Sequence, residues 1–124
     1  MVELTLPAEP KAAAVARSHV RELPLDAETL EVVSLLVTEL VTNAVRHGRV
    51  SDGTCILVHV ALLEDDLVRV AVVNDGPVFE PVPRTRDIDA AGGLGLQLVD
   101  RLADRWGVEG NGETRVWLEV KRTA

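Results

Sequence analysis

A chain of 124 residues can bury one real hydrophobic core and has no room for a second. Its apolar fraction of 47% and charged fraction of 27% exclude wholesale disorder. A formal charge of −7 argues against nucleic-acid backbone binding, which needs a basic face, yet leaves room for a small polyphosphate held by one loop and a cation. Tyrosine is absent, there is one Phe, and aromatics total 2%, so Val, Leu and Ala must build the core. The one cysteine, Cys55, rules out disulfide frameworks and Cys-based zinc sites and is expected as a small buried strand residue. No apolar run approaches bilayer length, and the N-terminus MVELTLPAEP carries no signal-peptide pattern. The expectation is a cytoplasmic protein without membrane or nucleic-acid partners, folded as a single domain over residues 1–124.

Residues 2–6 alternate as a short strand, and Pro7 and Pro10 lead into a helix over Lys11–Arg21. Leu23-Pro24 breaks it. Asp26 is a suitable N-cap for a long helix over Ala27–His47, ended by Gly48. Residues 54–62 and 67–73 read as strands joined at Glu64-Asp65-Asp66, a trio that reads as a solvated turn rather than a cation site. The stretch Asn74–Gly92, with Pro77, Pro81 and Pro83, reads as a loop. A helix is expected over Leu94–Arg105, followed by Trp106-Gly107 and a strand near Val108-Glu109. A turn at Gly110-Asn111-Gly112 then leads into a last strand over Thr114–Val120. The sum is an α+β two-layer sandwich: a mixed, mostly antiparallel sheet with helices on one face.

Three places carry candidate chemistry. Along Leu36–His47 apolar and polar residues alternate in pairs, which sets Glu39, Asn43 and His47 four residues apart on one stripe. A carboxylate beside a carboxamide suits magnesium and a nucleophile, because Asn offers a hard oxygen and Glu can take a proton. Taken alone, the stripe reads as a solvent-facing face. Next, Val68, Val70 and Val72 share their strand face with Asn74, so if the valines face the core, Asn74 lies at the mouth of the buried layer. A base edge could supply the hydrogen bond such a group needs. Asn74-Asp75-Gly76-Pro77 alone reads as a hairpin turn. Third, Gly92-Gly93-Leu94-Gly95-Leu96 runs straight into a helix, where backbone N–H groups and the dipole favour an anion. It is neither a dinucleotide fingerprint nor a Walker loop. His19 and His59 read as structural residues.

In this order, through Glu39-Leu-Val-Thr-Asn43-Ala-Val-Arg-His47-Gly48, Val70–Pro77, Gly93-Leu-Gly95-Leu-Gln-Leu-Val99 and Arg105-Trp106-Gly107, the sequence resembles the GHKL (Bergerat-fold) ATPases. Within them it looks like the anti-sigma-factor serine/threonine kinase branch of the histidine-kinase-like ATPase domains. The resemblance covers nearly the whole chain and implies ATP and Mg2+ as cofactors. By position, Glu39 matches the general base and Asn43 the magnesium ligand, while Arg46 and His47 lie where side chains approach the phosphates. Asn74, Asp75 and Gly76 match the adenine box, with Gly93, Leu94, Gly95 and Leu96 matching the phosphate-side loop. Thr114 lies near a family threonine close to the nucleotide. Pro77–Gly92 would be the lid. Two positions depart from the pattern: Asn74 stands where the family has an aspartate, and Val78 where it has a glycine. A neutral amide in place of a carboxylate weakens the bond to adenine by about 1 kcal/mol.

The resemblance implies transfer of the ATP γ-phosphate to Ser or Thr of a small antagonist protein, with a sigma factor and/or that antagonist as partners, and a homodimer. A non-catalytic module that senses nucleotide or binds a partner is the alternative, motivated by Asn74 and Val78. A sensor-kinase fragment is disfavoured, since no upstream helix pair with a phosphoacceptor histidine is present.

Overall fold

Alternation along the strands decides which side of the sheet the helices cover. In the computed structural model, which describes residues 1–47, 55–74, 93–110 and 113–122, the chain runs β1 (Val2–Pro7), α1 (Ala12–Val20), α2 (Ala27–His47), β2 (Cys55–Leu63), β3 (Leu67–Asn74), α3 (Gly93–Leu102), β4 (Arg105–Gly110) and β5 (Thr114–Lys121). The five strands form one sheet in the order β1-β2-β3-β5-β4, and each of its four pairings is antiparallel. This is the α+β arrangement expected from the sequence.

The covered face is written in the register. Ile56, Val58, Val60 and Leu62 of β2 stand opposite Asn74, Val72, Val70 and Val68 of β3. These in turn stand opposite Thr114, Val116, Leu118 and Val120 of β5. Directly opposed residues of an antiparallel pair share a face, so three apolar rows end in a fourth where Asn74 and Thr114 stand side by side. Over them lies α2, with Val33, Leu36, Val37, Leu40 and Val41 buried and with α1 and α3 packed along its flanks. Each such side chain contributes about 1.5–3 kcal/mol by burial, which is how a chain with so few aromatics acquires its core.

The start of α2 follows its sequence signal. The Asp26 carboxylate accepts from the Thr29 N–H at 3.0 Å and the Thr29 hydroxyl at 2.6 Å, and these bonds satisfy donors the first turn cannot pair internally. Asp65 and Asp66, in the exposed turn between β2 and β3, take left-handed backbone angles (φ 63° and 59°). Aspartate tolerates these better than most residues, and they suit the twist of a tight hairpin.

Three expectations need correction. Cys55 is exposed, not buried: Ile56, Val58 and Val60 occupy the covered face, so strand parity turns Cys55 outward. Asn74 is the last residue of β3 rather than the first of a loop, held there by pairing with both Ile56 and Thr114. The third helix ends at Leu102, not Arg105, and Trp106-Gly107 lies within β4. The reason for the early stop is Asp104. Its N–H donates to the Glu119 carbonyl at 2.9 Å, and its carboxylate accepts from the Lys121 N–H at 2.7 Å, so the chain joins the sheet three residues sooner.

The opposite face of the sheet is open and charged. Glu119, with 8% of its side chain exposed, lies 3.5 Å from Arg69 and 3.6 Å from Arg105. Both guanidinium groups sit over the Trp117 ring, at 5.0 and 5.8 Å from its centroid. The indole lies so close to Gly107 that a Cβ there would come within 2.9 Å of its Nε1. Beside this cluster runs a shallow groove of about 530 Å³, lined by Thr5, Leu57, His59, Ala71, Val73 and Arg115. His59 Nε2 lies 3.9 Å from the Glu3 carboxylate. His19, on α1, is exposed and hydrogen-bonded to the Val15 carbonyl.

Candidate functional site

The polar row that closes the covered face is the place where this core stops being apolar. Asn74 is 4% exposed and Thr114 1%. The Asn74 carboxamide donates through Nδ2 to the Ala44 carbonyl of α2 at 3.3 Å. That carbonyl belongs to the last turn of the helix, where carbonyls have no partner within the helix itself. The bond therefore fastens the end of α2 to the end of β3. Asn74 Oδ1 is also buried, and it has no hydrogen-bond partner among the described residues. A buried acceptor left unanswered costs about 1–3 kcal/mol, so such atoms are rare in a settled core. Ile56, fully buried, stands beside it in the register.

The α2 stripe reaches this corner from the helix side. Asn43, adjacent to Ala44, is 6% exposed, and Glu39, one turn earlier, is half-buried. The solvent-facing reading of this stripe therefore fails at Asn43. Thr42 and Arg46 are exposed. His47 ends the helix, and its side chain lies outside the described residues. The first turn of α3 is formed by Gly93, Leu94, Gly95 and Leu96, whose side-chain environment is likewise outside them. The helix turns at Ala103–Asp104 into β4, which runs back to end at Gly110 opposite Thr114. So α3 starts from the end of the sandwich that holds Asn74 and Thr114, and the first-turn N–H groups of a helix have no partner within the helix itself. Asp75, Gly76, Val78 and the rest of the expected lid, Pro77–Gly92, fall outside the described residues.

The fold thus brings Asn43, Ala44, Asn74 and Thr114 to one corner, with Glu39 a turn away. Thr114, which the sequence aligned only loosely, is fixed here by its register with Asn74. Ala44 was missed altogether. Its contribution is a backbone oxygen, and no side-chain pattern announces it.

The model of the histidine kinase-like ATPase domain family matches residues 3–120. The chain belongs to that family. Among curated relatives, the anti-sigma F factor of Lysinibacillus sphaericus is 29% identical over 85 residues, which is 63% of this chain and 58% of that protein. An uncharacterised protein of Streptomyces coelicolor is 34% identical over 80 residues, 64% of this chain and 74% of that protein. Among solved structures, the blue-light activated histidine kinase of Erythrobacter litoralis EL346 superposes with a TM-score of 0.67 at 20% identity, over 88% of this chain and 40% of its own. Full-length ShkA in complex with AMPPNP gives 0.55 at 23% identity, over 75% and 22%. The chain therefore spans little more than half of the anti-sigma F factor and under half of either kinase. It shares the ATPase-domain fold of these kinases.

Proposed function

We propose that this histidine kinase-like ATPase domain binds ATP at the corner between the ends of β3 and β5 and the last turns of α2. On this reading it acts as a cytoplasmic regulatory kinase of the anti-sigma-factor type, a single domain over residues 1–124. The observation that carries the nucleotide half is the buried, unanswered Asn74 Oδ1, an acceptor suited to the 6-amino group of adenine. Asp75 and Gly76 continue the adenine box, and Thr114 lines the base from β5. The chain offers few aromatics for stacking, so aliphatic walls such as Ile56 hold the ring.

Asn43 presents a hard oxygen on the same helix and would hold Mg2+, which when bound neutralises phosphate charge. The amides of Gly93, Leu94, Gly95 and Leu96, with Arg46 and His47, would meet the phosphates. Glu39 accepts the proton of an incoming Ser or Thr hydroxyl. The hydroxyl oxygen forms its bond to the γ-phosphorus while the bond to the β–γ bridging oxygen breaks, and ADP leaves with those electrons. The anti-sigma F factor relative supports a sigma factor and/or an antagonist protein as partners, and a homodimer of the chain belongs to the same reading on the family resemblance alone. The −7 charge supports neither a nucleic acid nor an anionic membrane.

Calorimetry with Mg-ATP, followed by transfer of radiolabelled phosphate to a candidate antagonist, tests both halves. ATP binding with Glu39-dependent transfer is expected, and Glu39→Gln should keep binding and lose transfer. Binding without transfer would replace the kinase with a nucleotide-sensing module, a reading favoured by the neutral amide at position 74. No binding of any nucleotide would defeat both.

A further inference from the structure

An antiparallel sheet with helices on one side and water on the other alternates apolar and polar residues along its strands. Two of the inner strands here break that rule. β2 reads CILVHVALL and β3 reads LVRVAVVN, so on the open face only His59 and Arg69 interrupt their apolar residues. Near-continuous apolar strands are those covered on both sides, yet α1, α2 and α3 all pack on the other face. Leu57 is 48% exposed. The register sets it beside Val73, with Ala71 beside Trp117 in the next row. These four make an apolar centre on a face that no described helix covers.

Charge decides what can cover this centre. On the open face Arg69, Arg105, Arg115 and Lys121 stand against Glu3, Glu109 and Glu119, whereas the whole chain has 13 basic and 20 acidic residues. The excess acid therefore lies elsewhere on the molecule. An acidic partner is repelled by that net charge, and a basic one is drawn to the acidic surface instead. A second copy meets neither obstacle, because the balanced face is where two acidic molecules approach at the least cost. The signs are also segregated. Glu3, with 75% of its side chain exposed, is the acid of the β1–β2 half, and the arginines all lie in the β3–β5 half, Arg105 with 72% exposed and Arg115 with 42%. A twofold axis parallel to the strands lays β1 of one copy over β4 of the other and brings the opposite signs together.

We propose that a second copy of this chain seats on the open face, sheet against sheet, around Leu57, Ala71, Val73 and Trp117. The shallow groove of about 530 Å³ beside Leu57 receives side chains of the other copy, as the inner faces of a β-sandwich interdigitate about 10 Å apart. The inference rests on the homodimer of the proposed function and deepens it by giving it a surface. It leaves the corner at Asn74 and Thr114, on the helix-covered face, free in both copies.

Analytical ultracentrifugation of the whole chain over a dilution series tests this. The wild type should sediment as a dimer. Leu57→Asp, with its fold checked by circular dichroism, should weaken dimerisation by roughly 100-fold or more, since a twofold pair buries the new charge twice. Leu35→Asp alters a leucine that is 41% exposed on α2 and should leave the dimer as it is. A second measurement needs no variant on the face: in methyl NMR of the wild type, the Leu57 and Val73 signals should shift on dilution while those of Leu35 stay put. A folded Leu57→Asp that dimerises like the wild type overturns the proposed face and leaves the homodimer standing, as does a dilution shift at Leu35 in place of Leu57. Leu57 and Val73 signals that do not move while the dimer dissociates overturn the face even if Leu57→Asp fails to fold. A wild type that is monomeric at every concentration sinks the face and the homodimer together, and calorimetry with Mg-ATP on the same sample judges the nucleotide reading separately.

Discussion

Glu119 and Asn74 lie on opposite faces of one sheet and are almost equally sealed from solvent, at 6% and 4% exposure, yet their surroundings treat them differently. Glu119 is engaged through both carboxylate oxygens, one toward Arg69 and one toward Arg105. Asn74 is engaged through one atom, and among the described residues the other is unanswered. A buried charge is kept when partners from neighbouring strands meet it. The open Asn74 acceptor has no such partner among the described residues, and under the proposed function its donor comes from the ligand. Burial of a polar side chain is thus a poor guide to a site. An open polar atom is not enough either, since Ser34 Oγ and Arg69 Nε are likewise buried without a hydrogen-bond partner among the described residues. What distinguishes Asn74 is its place at the polar end of the covered face, beside Thr114.

The contrast can be broken by attacking the charged face and reading out the other. The largest effect is expected from Glu119→Ala, which leaves Arg69 and Arg105 facing each other over Trp117. A loss of about 2 kcal/mol in urea unfolding is expected, below the full cost of breaking a buried pair because Arg105 is solvated. ATP affinity should stay within about twofold, since a change smaller than 0.5 kcal/mol is normal for independent sites. A parallel fall in affinity would mean that the two faces are coupled.

Gly107→Ala should cost about 1–2 kcal/mol by forcing the indole off its seat, and a shift in tryptophan emission would report the movement. Asp26→Ala removes the cap at the end of α2 remote from Ala44 and should cost about 1 kcal/mol. Thermal unfolding with and without ATP would show whether the loss stays at that end, in which case the stabilisation by nucleotide is unchanged. The smallest effect belongs to Arg105→Ala, below about 1 kcal/mol, because Arg69 still answers Glu119. If it matched Glu119→Ala, the carboxylate would depend on the solvated partner rather than on the half-buried one.

The sequence exposed much of this arrangement because its physical signals were local. The valine alternation in β3 told which face Asn74 takes, and the Asp26 cap located the start of α2. The paired pattern of α2 put Glu39 and Asn43 on one stripe, though not the depth at which Asn43 is buried. What stayed hidden depends on contacts distant along the chain. The early end of α3 is set by Asp104 meeting Glu119 and Lys121, and neither partner is visible from the helix's own residues. Cys55 was misplaced by composition, since a small apolar residue in a strand suggests burial, whereas the parity of Ile56 decided otherwise. Ala44 shows the limit most clearly: its role belongs to a carbonyl that every residue has.

The Asp104 corner also governs how α3 can move. Two hydrogen bonds at 2.9 and 2.7 Å tie the corner to β5, and a third, from the Trp106 indole N–H to Asp100 at 2.9 Å, ties the last turn to β4. Sliding the helix along its axis would break all three bonds, whereas a tilt about the Asp104 corner would keep them and be limited by the packing of α3 on α2. At 1.5 Å per residue its ten residues make an arm of about 15 Å, and a tilt of about 10° would swing its glycine-rich tip by roughly 2.5 Å. Under the proposed function, adjustment around a phosphate would be a matter of angle at Asp104, with the glycines at the tip travelling farthest.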